Sequence, residues 1–254
     1  MHDNAAAERT DNKPTRAGRS GWKQAYSERR FGVLLVILIG LLAGSPILFG
    51  FGLTAEWFDG MMAFVLLAAI QSLCFERRQR MFALLLGIPT ILMSLGGHAI
   101  TGTTSASLLF LGHLCGVLFL FGSAGVIVKS LFSSYSLSFD SIFGAVCGYL
   151  FLGLAWAMSY SMIEAFQPGS FQISGSLRTP SEQPQPFVLM YYSFVTLTTV
   201  GYGDVTPISA TTRTLAWVEA ITGQFYLAII VAGLVSMLVA KTSRFRASED
   251  TDPV

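Results

Sequence analysis

The sequence predicts an all-α membrane protein with six transmembrane helices and a seventh, shorter helix that enters the membrane and turns back. Three observations predict it. Of the 254 residues, 52% are hydrophobic and only 12% are charged, where a soluble domain carries about 25% charge. The apolar residues are gathered into long uncharged blocks, and about 20 such residues in a helix cross the hydrocarbon. The remaining charge is distributed very unevenly between the blocks.

Taken in order, residues 1–30 form a polar arm that ends in Arg29-Arg30, and it is expected to be disordered. No cleavable signal precedes the first apolar block, which is too long for a signal core. Blocks at 31–53, 57–75, 81–97 and 108–128 define a four-helix membrane domain over 31–129. The third is the weakest, being short, holding Pro89 and ending in Gly96-Gly97. Blocks at 142–163 and 214–240 belong to a second unit, 130–241, and residues 242–254 form a short tail, also expected to be disordered. Between them, 187–198 is apolar but only about 18 Å long as a helix. It cannot cross, and so reads as re-entrant, with Pro186 suited to its first turn.

Orientation follows from charge. Fourteen of the 16 Lys and Arg fall before span one, after spans two, four and six, and so on one side of a six-span chain. Only Arg178 and Arg213 fall on the other. Basic residues accumulate on the cytoplasmic face, so both termini are expected in the cytoplasm of a multi-pass protein of the cell membrane. That parity needs an even number of spans and argues that the weak third block is real. Span five then runs outward, the short helix dips in, and the loop after it climbs back toward the outside.

That loop reads Thr198-Thr199-Val200-Gly201-Tyr202-Gly203-Asp204. Alternating glycines permit positive φ at alternate residues, and non-helical backbone at membrane depth is tolerated where it lines a water-filled path. The run resembles the selectivity filter of potassium channels, and the likeness extends over about 140–241. The resemblance implies a homotetrameric pore with a pore helix and filter loop in each chain, 130–241 being the pore domain. It implies K⁺ sites, the only metal expected, at the carbonyls of Thr199, Val200, Gly201 and Tyr202, with the Thr199 hydroxyl on the innermost. Gly203 allows the outer turn and Asp204 sits at the outer mouth. Pro207 and Arg213 also fall where the family commonly has Pro and Arg. Behind the filter the family often has tryptophans; here Tyr191 and Tyr192 stand there as an aromatic support, and Val195 replaces a Glu found in some members.

Other residues admit two readings. Gly223, 20 residues after Gly203, is a gating hinge or a packing glycine. Glu219 is the only carboxylate deep in an apolar block; it is a functional acid, as intramembrane acids are by default, or a hydrogen-bonded brace between the inner helix and the back of the pore helix. Gly144-x-x-x-Gly148, with Gly153 beyond, lets helices approach closely. His113 bonds a neighbouring helix or serves as a relay. Cys74, Cys115 and Cys147 all lie in apolar blocks and read as unpaired thiols. The 167–186 segment, with four prolines, reads as an exposed outer loop.

The six-span layout resembles that of voltage-gated channels, but 108–128 contains no arginine. One charge crossing 100 mV supplies about 2.3 kcal/mol, so voltage dependence is expected to be weak or absent. The expected function is passive conduction of K⁺, with no enzyme chemistry, no cofactor and no nucleic acid; the partners are the lipid bilayer, K⁺ and copies of the same chain. The alternatives are a non-conducting or regulatory membrane subunit, or a pore-loop cation transporter subunit. The latter usually carries four degenerate pore segments in one chain.

Overall fold

The computed structural model describes residues 30–50, 55–73, 81, 84–93, 103–133, 139–174 and 186–249. The N-terminal arm, Cys74 and residues 175–185 of the predicted outer loop lie outside the described residues. The described chain is almost wholly helical. In order it forms α1 (Arg30–Gly50), α2 (Ala55–Leu73), α3 (Leu84–Met93), α4 (Thr103–Ser133), α5 (Phe139–Phe166), β1 (Phe171–Ile173), α6 (Pro186–Leu197), β2 (Val205–Pro207) and α7 (Ala210–Glu249).

Three helices among the described residues are long and apolar enough to cross a membrane: Ser107–Phe132, Asp140–Phe166 and Ala210–Ser236. Phe31–Gly44, Leu84–Met93 and Pro186–Leu197 are shorter apolar helices. The last matches the expected 187–198 segment and begins at Pro186, where a missing N–H costs nothing.

α5 is the centre of the molecule, packed against α1, α4, α6 and α7. Its residues from Phe151 to Met158 are all buried, including Trp156. Neighbouring helices present one stripe each. α1 buries Phe31, Leu34 and Leu38, and α2 buries Met62, Val65, Leu66 and Ala69; both sets follow the i, i+3/i+4, i+7 spacing of one helical face. The glycines of α5 each admit a different helix. A side chain at Gly144 would strike the Phe31 ring of α1, at Gly148 the Tyr226 hydroxyl of α7, and at Gly153 the Phe194 ring of α6. The motif therefore serves to seat aromatic side chains rather than to bring two backbones together.

Asp140, in the first turn of α5, accepts the Phe31 and Gly32 amides through Oδ1, at 3.0 and 3.1 Å. A carboxylate suits the orphan amides and positive end at a helix start. It ties the beginning of α1 to the beginning of α5.

Two regions differ from expectation. The loop after α5 is not featureless: β1 pairs antiparallel with β2, with Phe171 opposite Pro207 and Ile173 opposite Val205. So short a ladder has too little periodicity to be read from sequence. The tail expected to be disordered from 242 is helical as far as Glu249. Helix does not end where hydrophobicity ends; Ala, Lys and Arg are good helix formers, and no Gly or Pro intervenes before Pro253.

Candidate functional site

The loop Thr198–Asp204 follows α6 directly, and its geometry begins with where its amides point. Thr198 N donates to Phe194 O at 3.1 Å, Thr199 N to Thr196 O at 2.9 Å, and Val200 N to Val195 O at 2.9 Å, with Gly201 N reaching the same carbonyl at 3.4 Å. The Tyr149 hydroxyl donates to Leu197 O at 3.1 Å. The four carbonyls that every helix leaves orphaned at its C-terminus are thus all occupied. The amides of Thr198–Gly201 are used on the helix side. Among the described residues, none of the carbonyls of Thr198–Gly203 accepts a hydrogen bond.

Backbone conformation keeps those carbonyls available. Thr199, Gly201 and Gly203 have φ of 60°, 61° and 79°, while Val200 and Tyr202 between them do not have positive φ. Alternation of left- and right-handed residues gathers successive N–H groups on one side of a chain, and so sets the carbonyls on the other. Glycine supplies the left-handed conformation at two of the three positions. At Thr199 a β-branched residue adopts it, at a cost of about 1–2 kcal/mol. Local bonds hold it there, and Gln224 Nε2 of α7 reaches Thr199 Oγ1 at 3.4 Å.

The outer end of the loop is fixed by Asp204. Its Oδ2 accepts the Tyr191 hydroxyl at 2.7 Å and its Oδ1 accepts the Val205 amide at 3.0 Å. The Tyr191 and Tyr202 rings stack nearly parallel, 3° apart with centroids at 6.5 Å. Asp204 O accepts Ser174 N at 2.8 Å, which joins the loop to the β1–β2 ladder. Arg213 Nε donates to Pro207 O at 3.1 Å, so the two residues singled out beyond the loop meet. At the start of α7, Ser209 Oγ accepts Thr212 N at 3.2 Å in an N-cap.

Behind α6, Tyr192 is buried against Tyr160 and Phe171. The aromatic support is therefore divided: Tyr191 faces the loop and Tyr192 faces the core. Val195 contributes its carbonyl, which accepts the Val200 and Gly201 amides. At Gly223 a Cβ would collide with the carbonyl oxygen of Leu197, so the inner helix approaches the end of α6 more closely than any other residue allows. Glu219 is fully buried; its Oε2 accepts the Tyr160 hydroxyl at 2.6 Å and its Oε1 lies 2.5 Å from Ser193 Oγ. His113 Nδ1 bonds Leu109 O of its own helix at 2.7 Å.

Several contributors were not singled out from sequence: Tyr149, Ser193, Gln224 and Glu164. All are polar residues interrupting apolar blocks, and that interruption was the available signal. Glu164 accepts the Gly169 and Ser170 amides at 2.7 and 3.0 Å, closing the turn between α5 and β1. Among the described residues there is no His, Cys, Asp or Glu cluster suited to a metal.

A short helix that cannot cross a membrane, placed between two that can, delivers a row of unused carbonyls. The chain belongs to the ion channel family: the family model described as "Ion channel" matches residues 144–240, the segment just described. Two curated relatives, both called "Protein LctB", are similar to part of the chain. That of Bacillus caldotenax is 34% identical over 99 residues, 39% of this chain and 73% of the relative. That of Geobacillus stearothermophilus is 33% identical over 127 residues, 48% of this chain and 90% of the relative.

Proposed function

We propose that this protein is a potassium-selective channel of the cell membrane, in which four copies of Thr198–Asp204 surround one ion path. The observation that carries the reading is the set of unpaired carbonyls at Thr199, Val200, Gly201 and Tyr202, held in place by amides bonded back to α6. Rings of such carbonyls replace the hydration shell of a potassium ion. Potassium is the transported ion, moving passively down its electrochemical gradient, and Asp204 marks the outer mouth.

The exposure of the chain supports a multimer. The α5 span is 67% buried within one chain, whereas the α7 span is only 17% buried. Val200 and Tyr202 are 53% and 70% exposed, and Trp217, Ile221 and Phe225 of α7 are exposed as well. One chain has one filter, and closed rotational symmetry completes the path. Six spans with both termini in the cytoplasm remain our topology, on the basis of charge parity. Spans one to four are a scaffold without gating arginines.

Purified protein in lipid vesicles tests this. K⁺ efflux should exceed Na⁺ efflux by orders of magnitude, and Gly201→Ala should abolish that preference. The added Cβ meets nothing within 4 Å, so the penalty is the left-handed φ itself, about 1–2 kcal/mol per chain. Unchanged selectivity in this variant refutes the filter assignment.

A further inference from the structure

Two acidic side chains are buried among the described residues, and their surroundings differ. Glu164 meets two amides, which can only donate. Glu219 meets two hydroxyls, one of which is already engaged: Ser193 Oγ lies 2.8 Å from Gly153 O as well as 2.5 Å from Glu219 Oε1. A hydroxyl has one proton to donate and a carbonyl has none.

Counting protons decides the state. The cluster has three oxygen–oxygen contacts: Tyr160 to Glu219, Glu219 to Ser193, and Ser193 to Gly153. If Glu219 is ionised, two protons serve three contacts, and one short pair of oxygens faces lone pair to lone pair. If Glu219 is a neutral acid, three protons serve three contacts. Oε1–H donates to Ser193 Oγ, Ser193 donates to Gly153 O, and Tyr160 donates to Oε2. Among the described residues no basic side chain reaches Glu219, and an unpaired carboxylate in an apolar interior is strongly disfavoured.

The cluster lies on a seam. Glu219 and Gly223 are one turn apart on α7 and meet Ser193 and Leu197, one turn apart on α6. Tyr226, a further turn along, donates to Ala145 O of α5 at 2.7 Å. The seam sets the register of the inner helix against the helix that carries the filter.

We propose that Glu219 is a positioning residue that works as a neutral carboxylic acid, holding the inner helix in register with the pore helix through Ser193, and that loss of its proton at alkaline pH releases that register and lowers conduction. On ionisation, the Ser193 proton turns from Gly153 O to the carboxylate, and α6 loses the Ser193 tie to α5, keeping the Tyr149 bond to Leu197 O. Among the described residues, the titratable groups facing Glu219 are Tyr149 and Tyr160 of α5 and Tyr192 of α6, and no basic group faces it.

The electrical part of the test rests on the proposed conduction; the spectroscopic part does not. In infrared difference spectra of the full chain at neutral pH, wild type minus Glu219→Gln should show the carbonyl stretch of an un-ionised acid. That band should convert to a carboxylate band as pH rises. Absence of the acid band at neutral pH overturns the proposal. In bilayers, wild-type K⁺ current should fall above the midpoint of this titration, by up to about tenfold per pH unit for one ionising site. Glu219→Gln keeps a donor and an acceptor and should conduct with a flat profile; a profile that the variant retains overturns the proposal. If Glu219→Gln does not assemble, Ser193→Ala serves: the acid band should move to higher frequency as the acid loses its acceptor, and an unmoved band counts against the proposal. A protein with the acid band but no K⁺ current leaves the clasp standing and rejects the channel reading.

Discussion

Asp204 is bound on both carboxylate oxygens, by a side chain from α6 and by the amide of the next residue. That makes Tyr191 the residue through which α6 steadies the Asp204 end of the loop, the outer end of the proposed filter. Tyr191→Phe keeps the ring that stacks on Tyr202 but removes a side-chain donor to Oδ2, the only one among the described residues. A hydrogen bond to a charged group contributes about 1.5–3 kcal/mol. The ratio of conducting to non-conducting filters should therefore fall by about tenfold or more, read as a faster and deeper decline of current during sustained recording. Stable currents in the variant would show that the stack alone suffices. At this scale the sequence was partly legible. The glycines at 201 and 203 announce positive φ because nothing else tolerates it cheaply. The same conformation at Thr199 could not be read, because threonine normally argues against it. The division of labour between Tyr191 and Tyr192 was equally hidden, since adjacent helical residues point about 100° apart and only packing says which faces the loop.

Among the elements, α6 and α7 are joined by a seam rather than a loose contact, and Gly223 is where it is tightest. Gly223→Ala places a methyl group against the Leu197 carbonyl. Overpacking of this kind costs about 1–3 kcal/mol, so the variant should unfold at a lower temperature and lose filter selectivity as α6 is pushed aside. A glycine serving solely as a hinge predicts the opposite pattern: unchanged thermal stability with altered opening. The helical elements were legible in sequence because long apolar blocks declare themselves, and α6 because it is apolar yet too short to cross. The β1–β2 ladder was not, because three residues a side leave no periodicity and its stability comes from Asp204 O, Ser170 O and the N-cap at Ser209. The length of α7 beyond 240 was missed because its end was sought in hydropathy, whereas helices stop at caps and breakers.

For the molecule as a whole, α4 contains one Lys and no Arg: Lys129, four residues before its C-terminal end. Without charges to move, the field does little work on this helix. Open probability should change by less than about tenfold over 100 mV, measured from steady-state single-channel records. A steeper dependence would place a sensor elsewhere in the chain. The exposed face of α7 and of the filter belongs to this scale too. It is unfinished in one chain and is completed, in our proposal, by three more.

The central claim is that Thr198–Asp204 selects potassium, and the most direct measurement is the reversal potential of currents through purified protein in planar bilayers with K⁺ on one side and Na⁺ on the other. The account predicts discrete currents reversing near the K⁺ equilibrium potential under any imposed K⁺ gradient. Currents reversing near zero under equimolar K⁺ and Na⁺, or no current from verified tetramers across a wide range of voltage and pH, would contradict it.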